Sequence, residues 1–184
     1  MPIDDSPSDR IAQAVARYGE PTVVQRAASL LSGGNEGDEF LLWVGGRHAQ
    51  GVLDGAPPLY WPEVWGARAL TYVWDDSATS AVHRGLGDQA WRVREMCARV
   101  VFLRKLPETD ALIQITKDEV ARVRSAAARA LGEVGDDAVR AVLVGMLQDP
   151  EKEVRRSAHD AIVRLEKRAL GESAGGSIEL RDRL

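Results

Sequence analysis

The sequence predicts an all-α protein, a right-handed α-solenoid of about four helical hairpins with an N-terminal helical cap. The first observation is a repeat, since the segment 67–76 returns 61 residues later as 128–137. The second is a shorter period, because Asp88, Asp118 and Asp149 each stand five residues before a Val-Arg pair. Self-similarity every 30 or 31 residues is typical of helical repeats that must stack to bury their apolar faces.

The Val-Arg pairs mark one helix in each repeat. When the valine is position zero, apolar residues recur at +4, +7 and +8, which places them in one stripe along a helix. The stripes of the second, third and fourth repeats contain Val93, Cys97, Val100 and Val101; Val123, Ala127, Ala130, Leu131 and Val134; and Val154, Ala158, Ala161, Ile162 and Leu165. The first repeat departs from the pattern, since Pro57 replaces the aspartate and Pro62-Glu63 replaces Val-Arg.

A second, more apolar helix is predicted before each aspartate, over residues 77–86, 107–116 and 138–147. The aspartate that follows each of these segments is well placed to cap the next helix, because its carboxylate accepts free N–H groups of the first turn. The sequence therefore alternates two helices in each repeat, and we expect the array to cover residues 57–170.

The two ends of the chain fit the repeat less well. Residues 1–56 are predicted to form the cap, with helices over 9–18, from Pro21 onward and over 38–53, and with one degenerate pair among them. The last of these contains Gly45-Gly46, at a cost of about 1 kcal/mol per glycine relative to alanine. A close contact with another helix would explain these glycines. Residues 171–184 are predicted to be a flexible C-terminal tail.

Composition excludes several classes of protein. The net charge of −4 lacks the positive excess of a domain held to phosphate backbones. The single Cys97 excludes an intrachain disulfide and a multi-cysteine zinc site. The N-terminus is acidic where a secretory signal would be basic, and the longest uncharged apolar run, residues 40–46, is too short to span a bilayer. We therefore expect a reduced, cytoplasmic protein with no membrane contact.

The order of an aspartate, Val-Arg, small residues and Leu-Gly resembles HEAT repeats over residues 57–170. The short period resembles the HEAT-like form of phycobilisome lyase-type proteins. In that family such Asp and Arg side chains bond between adjacent repeats as a ladder. The resemblance therefore implies a structural Asp/Arg ladder made of Asp88, Arg94, Asp118, Arg124, Asp149 and Arg155.

A column of arginines is the first candidate binding surface. Arg68, Arg99 and Arg129 stand at offset +6, on the side of the helix away from the core stripe. In HEAT-like stacks this helix lines the concave face, so the three guanidinium groups would stand about 10 Å apart and bind carboxylates or phosphates. The alternative is a solvated face, in which Glu95 pairs with Arg99 one turn away.

The aromatic residues are the second candidate. All five tryptophans lie between residues 43 and 91, and Trp61 and Trp65 belong to the densest segment. Buried tryptophans would fill the junction between the cap and the array. Exposed ones would anchor a protein partner or stack on bases.

Catalytic signals are weak, so an enzymatic activity stays open and is not favoured. The three histidines have no metal-ligand spacing, and Cys97 aligns with core alanines of the other repeats. No phosphate-binding glycine loop is present, and we expect neither a metal nor a cofactor. The pairs Asp75-Asp76 and Asp136-Asp137 both fall in inter-helix turns, where aspartate is common.

The function that these patterns favour is a non-enzymatic adaptor or scaffold that binds a protein or peptide on its concave face. Two alternatives remain. The arginines and tryptophans resemble those of alkylpurine DNA glycosylases, which are also built from HEAT-like repeats, although the near-neutral array does not favour nucleic acid. The short repeat form suggests a lyase-type accessory protein.

Overall fold

The computed structural model describes residues 3–179, with side chains described for residues 3–170. Helices are found in every segment where the periodicity predicts one, and the described residues contain no β-strand. This confirms the all-α prediction, while the handedness of the solenoid and the number of hairpins stay predictions. The chain divides into two compact units, Met1–Leu106 and Pro107–Leu184. The proposed division into cap and array at residue 56 also stays a prediction.

The first unit contains seven of the described α-helices. Ser6 caps the first of them, because its Oγ accepts a hydrogen bond of 3.2 Å from the Asp9 N–H. A short 3₁₀ turn, Asp76–Ala78, precedes the sixth. The helices are α1 (Pro7–Tyr18), α2 (Glu20–Leu31), α3 (Gly37–Gly45), α4 (Arg47–Leu53), α5 (Trp61–Ala69), α6 (Thr79–Gly85) and α7 (Trp91–Arg104).

The single helix predicted over residues 38–53 is wrong, since Gly46 separates α3 from α4. Gly46 has φ +60°, a backbone conformation that residues other than glycine rarely adopt, so the helix ends there. The expected close contact is real at Gly45, where an added Cβ would lie 2.7 Å from the ring of Trp65. One glycine therefore breaks the helix, and the other admits the indole.

The apolar stripes form most of the core of each unit, as predicted, although Val134 and Ile162 are only partly buried. In the first unit α2 packs against α5, and α5 packs against α7. Val93, Cys97, Val100 and Val101 of α7 are all 0% exposed. Complete burial of this set confirms the helical register read from the 30-residue period.

The second unit repeats the arrangement with α8 (Thr109–Ile115), α9 (Ala121–Val134), α10 (Arg140–Met146) and α11 (Lys152–Glu179). A 3₁₀ turn, Asp137–Val139, precedes α10. The main packing is between α9 and α11, where Val123 and Val154 are both fully buried. Small residues bring these helices close together, since an added Cβ on Gly132 would lie 2.6 Å from the Cα of Ala161.

The repeated aspartates close a turn in front of the helix and do not cap its first turn directly, which corrects the prediction. The Oδ1 atoms of Asp88, Asp118 and Asp149 accept the N–H of the residue two positions ahead, at 2.7 to 2.9 Å. That residue stands just before each helix begins. The arginine six positions after each aspartate then donates to the aspartate's own carbonyl, at 2.7 to 2.9 Å. Carboxylate and guanidinium together hold the turn.

The end of the chain differs from the predicted boundary at residue 170, because α11 continues to Glu179. The last described side chain that is buried in it belongs to Leu165, which is 4% exposed. The flexibility expected of residues 171–184 stays a prediction, and residues 180–184 lie outside the described part of the chain.

Candidate functional site

The first arginine of the predicted column, Arg68, is only partly exposed. The Arg68 Nη2 atom donates a hydrogen bond of 2.6 Å to the carbonyl of Val44, near the C-terminus of α3. Burial lowers the pKa of Arg68, and the neighbouring Arg10 guanidinium lowers it further. Helix C-termini leave carbonyls without helical partners and carry a partial negative charge, so a cation is favourable there. Arg68 is therefore held inside the first unit and does not present its guanidinium to a partner.

The other two arginines of the column differ from each other. Arg129 is half exposed and bonds within the second unit, to the Oγ atoms of Ser157 and Ser125 and to Glu153, at 3.0 to 3.1 Å. Arg99 is exposed and belongs to the first unit. The column thus contains two exposed arginines, of which Arg129 makes intramolecular bonds, and the partly buried Arg68, so it is not a set of three equivalent binding groups.

The tryptophans divide between core and surface. Trp65 is 1% exposed and packs against Gly45, and Trp43 is 7% exposed. The proposal of Trp65 as a partner-binding residue is therefore wrong, because its ring fills the space that the glycine leaves. Trp61 is only partly buried and stands one turn before Trp65 on α5.

Four residues make a continuous aromatic surface in the first unit, which we define as Tyr60, Trp61, Trp91 and Arg92. Tyr60 and Trp91 occupy the same position of successive repeats, as do Trp61 and Arg92, directly before the core stripe. Repeat stacking therefore brings the starts of α5 and α7 side by side. All four side chains are partly exposed.

The Arg92 guanidinium holds this surface together. Its carbon lies 4.2 Å from the Trp91 ring centroid, 5.5 Å from that of Trp61 and 5.8 Å from that of Tyr60. One of its nitrogens donates a hydrogen bond of 2.8 Å to the Tyr60 hydroxyl. The exposed ring of His48 contacts Trp61 edge to face, with centroids 4.5 Å apart. These contacts fix large aromatic groups at the surface, with little conformational freedom left to lose on binding.

One open cleft adjoins the aromatic surface, and Glu63 and Asp88 line both this cleft and a second one. The larger has a volume of about 730 Å³ and the smaller of about 290 Å³. One carboxylate oxygen of Glu63, Oε2, is buried and has no hydrogen-bond partner among the described residues. The remaining lining residues are Leu59, Tyr60, Gly87, Gln89, Ala90 and Trp91 in the larger cleft, and Leu31, Ser32, Gly33, Arg84 and Gly85 in the smaller.

The loop before α5 presents the most exposed apolar side chain near these clefts. Leu59 is 67% exposed and has φ +49°, a strained conformation for a residue with a branched side chain. The equivalent residue of the next repeat, Ala90, has φ −81°, in the turn that Asp88 closes. Pro57 stands where the first repeat would need that aspartate, so the loop takes another path and exposes Leu59.

The Asp/Arg ladder is observed within the second unit. The Nε and Nη2 atoms of Arg124 donate to the two carboxylate oxygens of Asp149, at 2.7 and 2.9 Å. The side chains are only 13% and 9% exposed. The hydrogen bonds from Arg124 are the main cause of the lowered pKa of Asp149. Arg155 holds its own turn, and Arg94 and Asp118 belong to different units.

Cys97 is not placed as a nucleophile would be. It is fully buried, and burial raises the pKa of its thiol, with the Asp88 carboxylate as a smaller cause in the same direction. The glycine opposite it, Gly85, leaves room for the sulfur. Among the described residues, no group of three or more His, Cys, Asp or Glu side chains could hold a metal ion. The predicted turn role of Asp75 and Asp136 is confirmed, since each accepts a backbone N–H two residues ahead.

Sequence reasoning missed Trp91, Arg92 and the Glu63/Asp88 pair as members of one site. The signal was present in the repeat register, which aligns residues 60 and 61 with residues 91 and 92. The same register aligns Glu63 with the arginine that follows position zero in the other repeats. What the register does not give is side-chain exposure, which depends on how the neighbouring helices pack.

Comparisons with known proteins agree with this architecture. Residues 109–172 match the family model of HEAT repeats. The structure of human deoxyhypusine hydroxylase in complex with glycerol is similar, with a TM-score of 0.52 and 24% sequence identity. The match covers 72% of this chain and 44% of that chain, so this chain spans less than half of that protein's length. At this identity the likeness shows the fold alone. No curated protein matches the sequence.

Proposed function

The chain is a HEAT-repeat protein, and from that premise we propose that it is a protein- or peptide-binding module. The observation that supports this proposal most is the aromatic surface of Tyr60, Trp61, Trp91 and Arg92. Tryptophan, tyrosine and arginine are the residues that contribute most to protein interfaces when a partner covers them. Here they are partly exposed and already ordered by their mutual contacts.

The binding site then lies on the aromatic surface and not along the arginine column. Arg68 and Arg129 bond within the protein, whereas Trp61 keeps the role that the sequence assigned to it. Exposed Arg99 remains a candidate at the edge of such an interface. The DNA glycosylase-like alternative relied on the arginine row and the tryptophans together, and it loses support because Arg68 and Trp65 are committed to contacts within the first unit.

We also propose a location for the module in the cell. The helices within the described residues include none that is long and apolar enough to cross a membrane. The buried, unreactive position of the one cysteine suits a reducing compartment, and we propose the cytoplasm.

Affinity capture from the native cell tests the binding proposal. Trp61→Ala and Arg92→Glu should each reduce the recovered partner by about tenfold or more, because each removes an anchor of the surface. Tyr72→Ala is the matched control, since Tyr72 is an aromatic residue 44% exposed outside this surface. A melting temperature close to that of the parent chain would exclude unfolding as the cause of a reduced recovery. Equal recovery of the partner by the surface variants and the control would rule out the aromatic surface as the binding site. If only Arg99→Ala reduced the recovered partner, the arginine column would again be the candidate site.

A further inference from the structure

The repeat register places Glu63 at a ladder position that the other repeats fill with arginine. Glu63 aligns with Arg94, Arg124 and Arg155 as the residue after position zero. Asp88 follows Glu63 by 25 residues, the same separation that joins Arg124 to Asp149. The first repeat therefore pairs a carboxylate with a carboxylate where the ladder pairs a guanidinium with a carboxylate.

The Arg124–Asp149 pair shows which group belongs at this position. The guanidinium contacts both carboxylate oxygens of Asp149 and also donates to the carbonyls of Asp118 and Glu119, at 2.9 and 3.2 Å. A planar cation is thus bound by a carboxylate and by backbone oxygens at once. Glu63 cannot supply that cation, so the equivalent position in the first unit has acceptors without their donor.

The surroundings of Glu63 and Asp88 agree with a missing cation. Both residues line the two clefts, and the Oε2 atom of Glu63 is buried without a hydrogen-bond partner among the described residues. Arg84 also lines the smaller cleft, but its Nη2 atom donates to the Oγ of Ser32, at 3.1 Å. Within the described residues, Arg84 forms no ion pair with either carboxylate. A carboxylate with one oxygen buried and without a partner is costly, and a cation in the cleft would relieve that cost by neutralising its charge.

The walls of the larger cleft also favour a cation. Tyr60 and Trp91 line it beside the two carboxylates, and both rings already attract one guanidinium, that of Arg92, through the ring quadrupole. The cleft opens directly beside the aromatic surface, so a side chain of a bound partner can enter it.

We propose that Glu63 and Asp88 bind an arginine side chain of the partner protein, which completes the ladder pair that this repeat lacks. The inference rests on the proposed function and adds the chemistry of the partner: a basic residue next to the apolar segment that covers the aromatic surface. Arginine fits better than lysine, because a planar guanidinium can bond two carboxylates and lie against an aromatic ring together.

The test uses N-acetyl-arginine methylamide as the probe, with the neutral, nearly isosteric N-acetyl-citrulline methylamide as its control. The full-length ¹⁵N-labelled chain is titrated while the indole N–H signals of Trp61 and Trp91 are followed. We expect the arginine probe to bind with a Kd on the order of 1 mM, a weak affinity suited to one side chain, and to shift the Trp91 signal most. The citrulline probe should give no saturable shift.

Isosteric variants assign the binding to the pair. Glu63→Gln and Asp88→Asn should each weaken the arginine probe by about tenfold, since each removes one charge. The amide oxygen that Asp88→Asn introduces can still accept the N–H that closes the turn, so the fold is preserved. Asp38→Asn is the matched control, an exposed carboxylate on α3 that lines neither cleft.

Glu63→Arg supplies the missing group from within the chain. It should raise the melting temperature by about 2–4 °C and abolish binding of the probe. Three results would overturn the proposal: equal binding of the citrulline probe, undiminished arginine binding by Glu63→Arg, or saturation by Ca²⁺ with no response to arginine. Binding of the arginine probe does not depend on the native partner. If the probe binds but no partner is captured, only the proposed function is refuted.

Discussion

Arginine side chains stabilise this protein by closing helix ends. Arg10 donates to the carbonyl of Trp43 and Arg68 to that of Val44, where α3 stops at the glycine pair. Arg104 donates to the carbonyl of Leu70 after α5, and Arg168 to three carbonyls at the end of α9. Burial lowers the pKa of the first three guanidinium groups, yet arginine stays charged in proteins and so can donate there. Arginines that look available in sequence are therefore used within the fold.

Asp149→Asn tests the one ladder pair that lies within a unit. The pKa of Asp149 is lowered mainly by its hydrogen bonds from Arg124, so the carboxylate stabilises the fold above its unfolded pKa of about 4. That contribution is lost as the pH falls through the lower folded pKa. Urea unfolding at pH 7 should show a loss of about 1–2 kcal/mol in the free energy of unfolding. The difference from the parent chain should shrink in acid.

Glu166→Gln is the matched control for that variant. It removes the charge from the Arg140–Glu166 pair, whose side chains are 45% and 47% exposed, and should change stability by less than about 0.5 kcal/mol. A pH-independent loss in Asp149→Asn would contradict the assigned role of the carboxylate charge.

At the scale of helices, small residues set how closely neighbours approach. Gly132 lies on α9 against the backbone of Ala161 on α11, and both helices present alanine-rich stripes to each other. Gly145 lies on α10 with no atom within 4 Å of the position that a Cβ would take. Two glycines in helices of the same unit thus have opposite surroundings.

A pair of alanine substitutions tests this difference. Gly145→Ala should stabilise the protein by about 0.5–1 kcal/mol, because alanine lowers the entropy cost of forming a helix. Gly132→Ala gains the same propensity but pushes α9 from α11, and should destabilise by about 1–3 kcal/mol. Thermal unfolding of both variants measures the contrast. Similar melting temperatures for the two would mean that α11 moves aside without cost.

At the scale of the whole molecule, the described core ends well before the chain does. Leu165 is the last buried side chain described, and Arg168 then closes the end of α9. Residues 171–184 are predicted from composition to be a loose tail, although the helical backbone of α11 runs to Glu179. The last residue that packs in the core therefore need not be the last residue of the helix.

Truncation after Leu170 tests whether the tail contributes to stability. The shortened chain should melt within about 2 °C of the full chain, because no described buried side chain is removed. Circular dichroism during heating provides the measurement. A fall of more than about 5 °C would show that the tail packs on the fold. A second truncation after Leu165, which removes Arg168, serves as the destabilised comparison.

The sequence alone determined the helical repeat, its register and its core, because a 30-residue period with a 3.6-residue stripe admits one way of burying the valines. Val93, Val123 and Val154 are all fully buried, as that argument requires. The sequence also identified Trp61 as a candidate binding residue. It further showed that Glu63 occupies a position that is arginine in the other repeats.

Tertiary structure decided which polar and aromatic side chains remain available. Arg68 bonds within the first unit and Trp65 is buried because α3 stops at Gly45, a break that leaves the Val44 carbonyl for the first and makes room for the second. Trp91 and Arg92 join Tyr60 and Trp61 only because successive helices start side by side. Periodicity fixes a residue's angle around its own helix, whereas exposure depends on what other helices bring against that side.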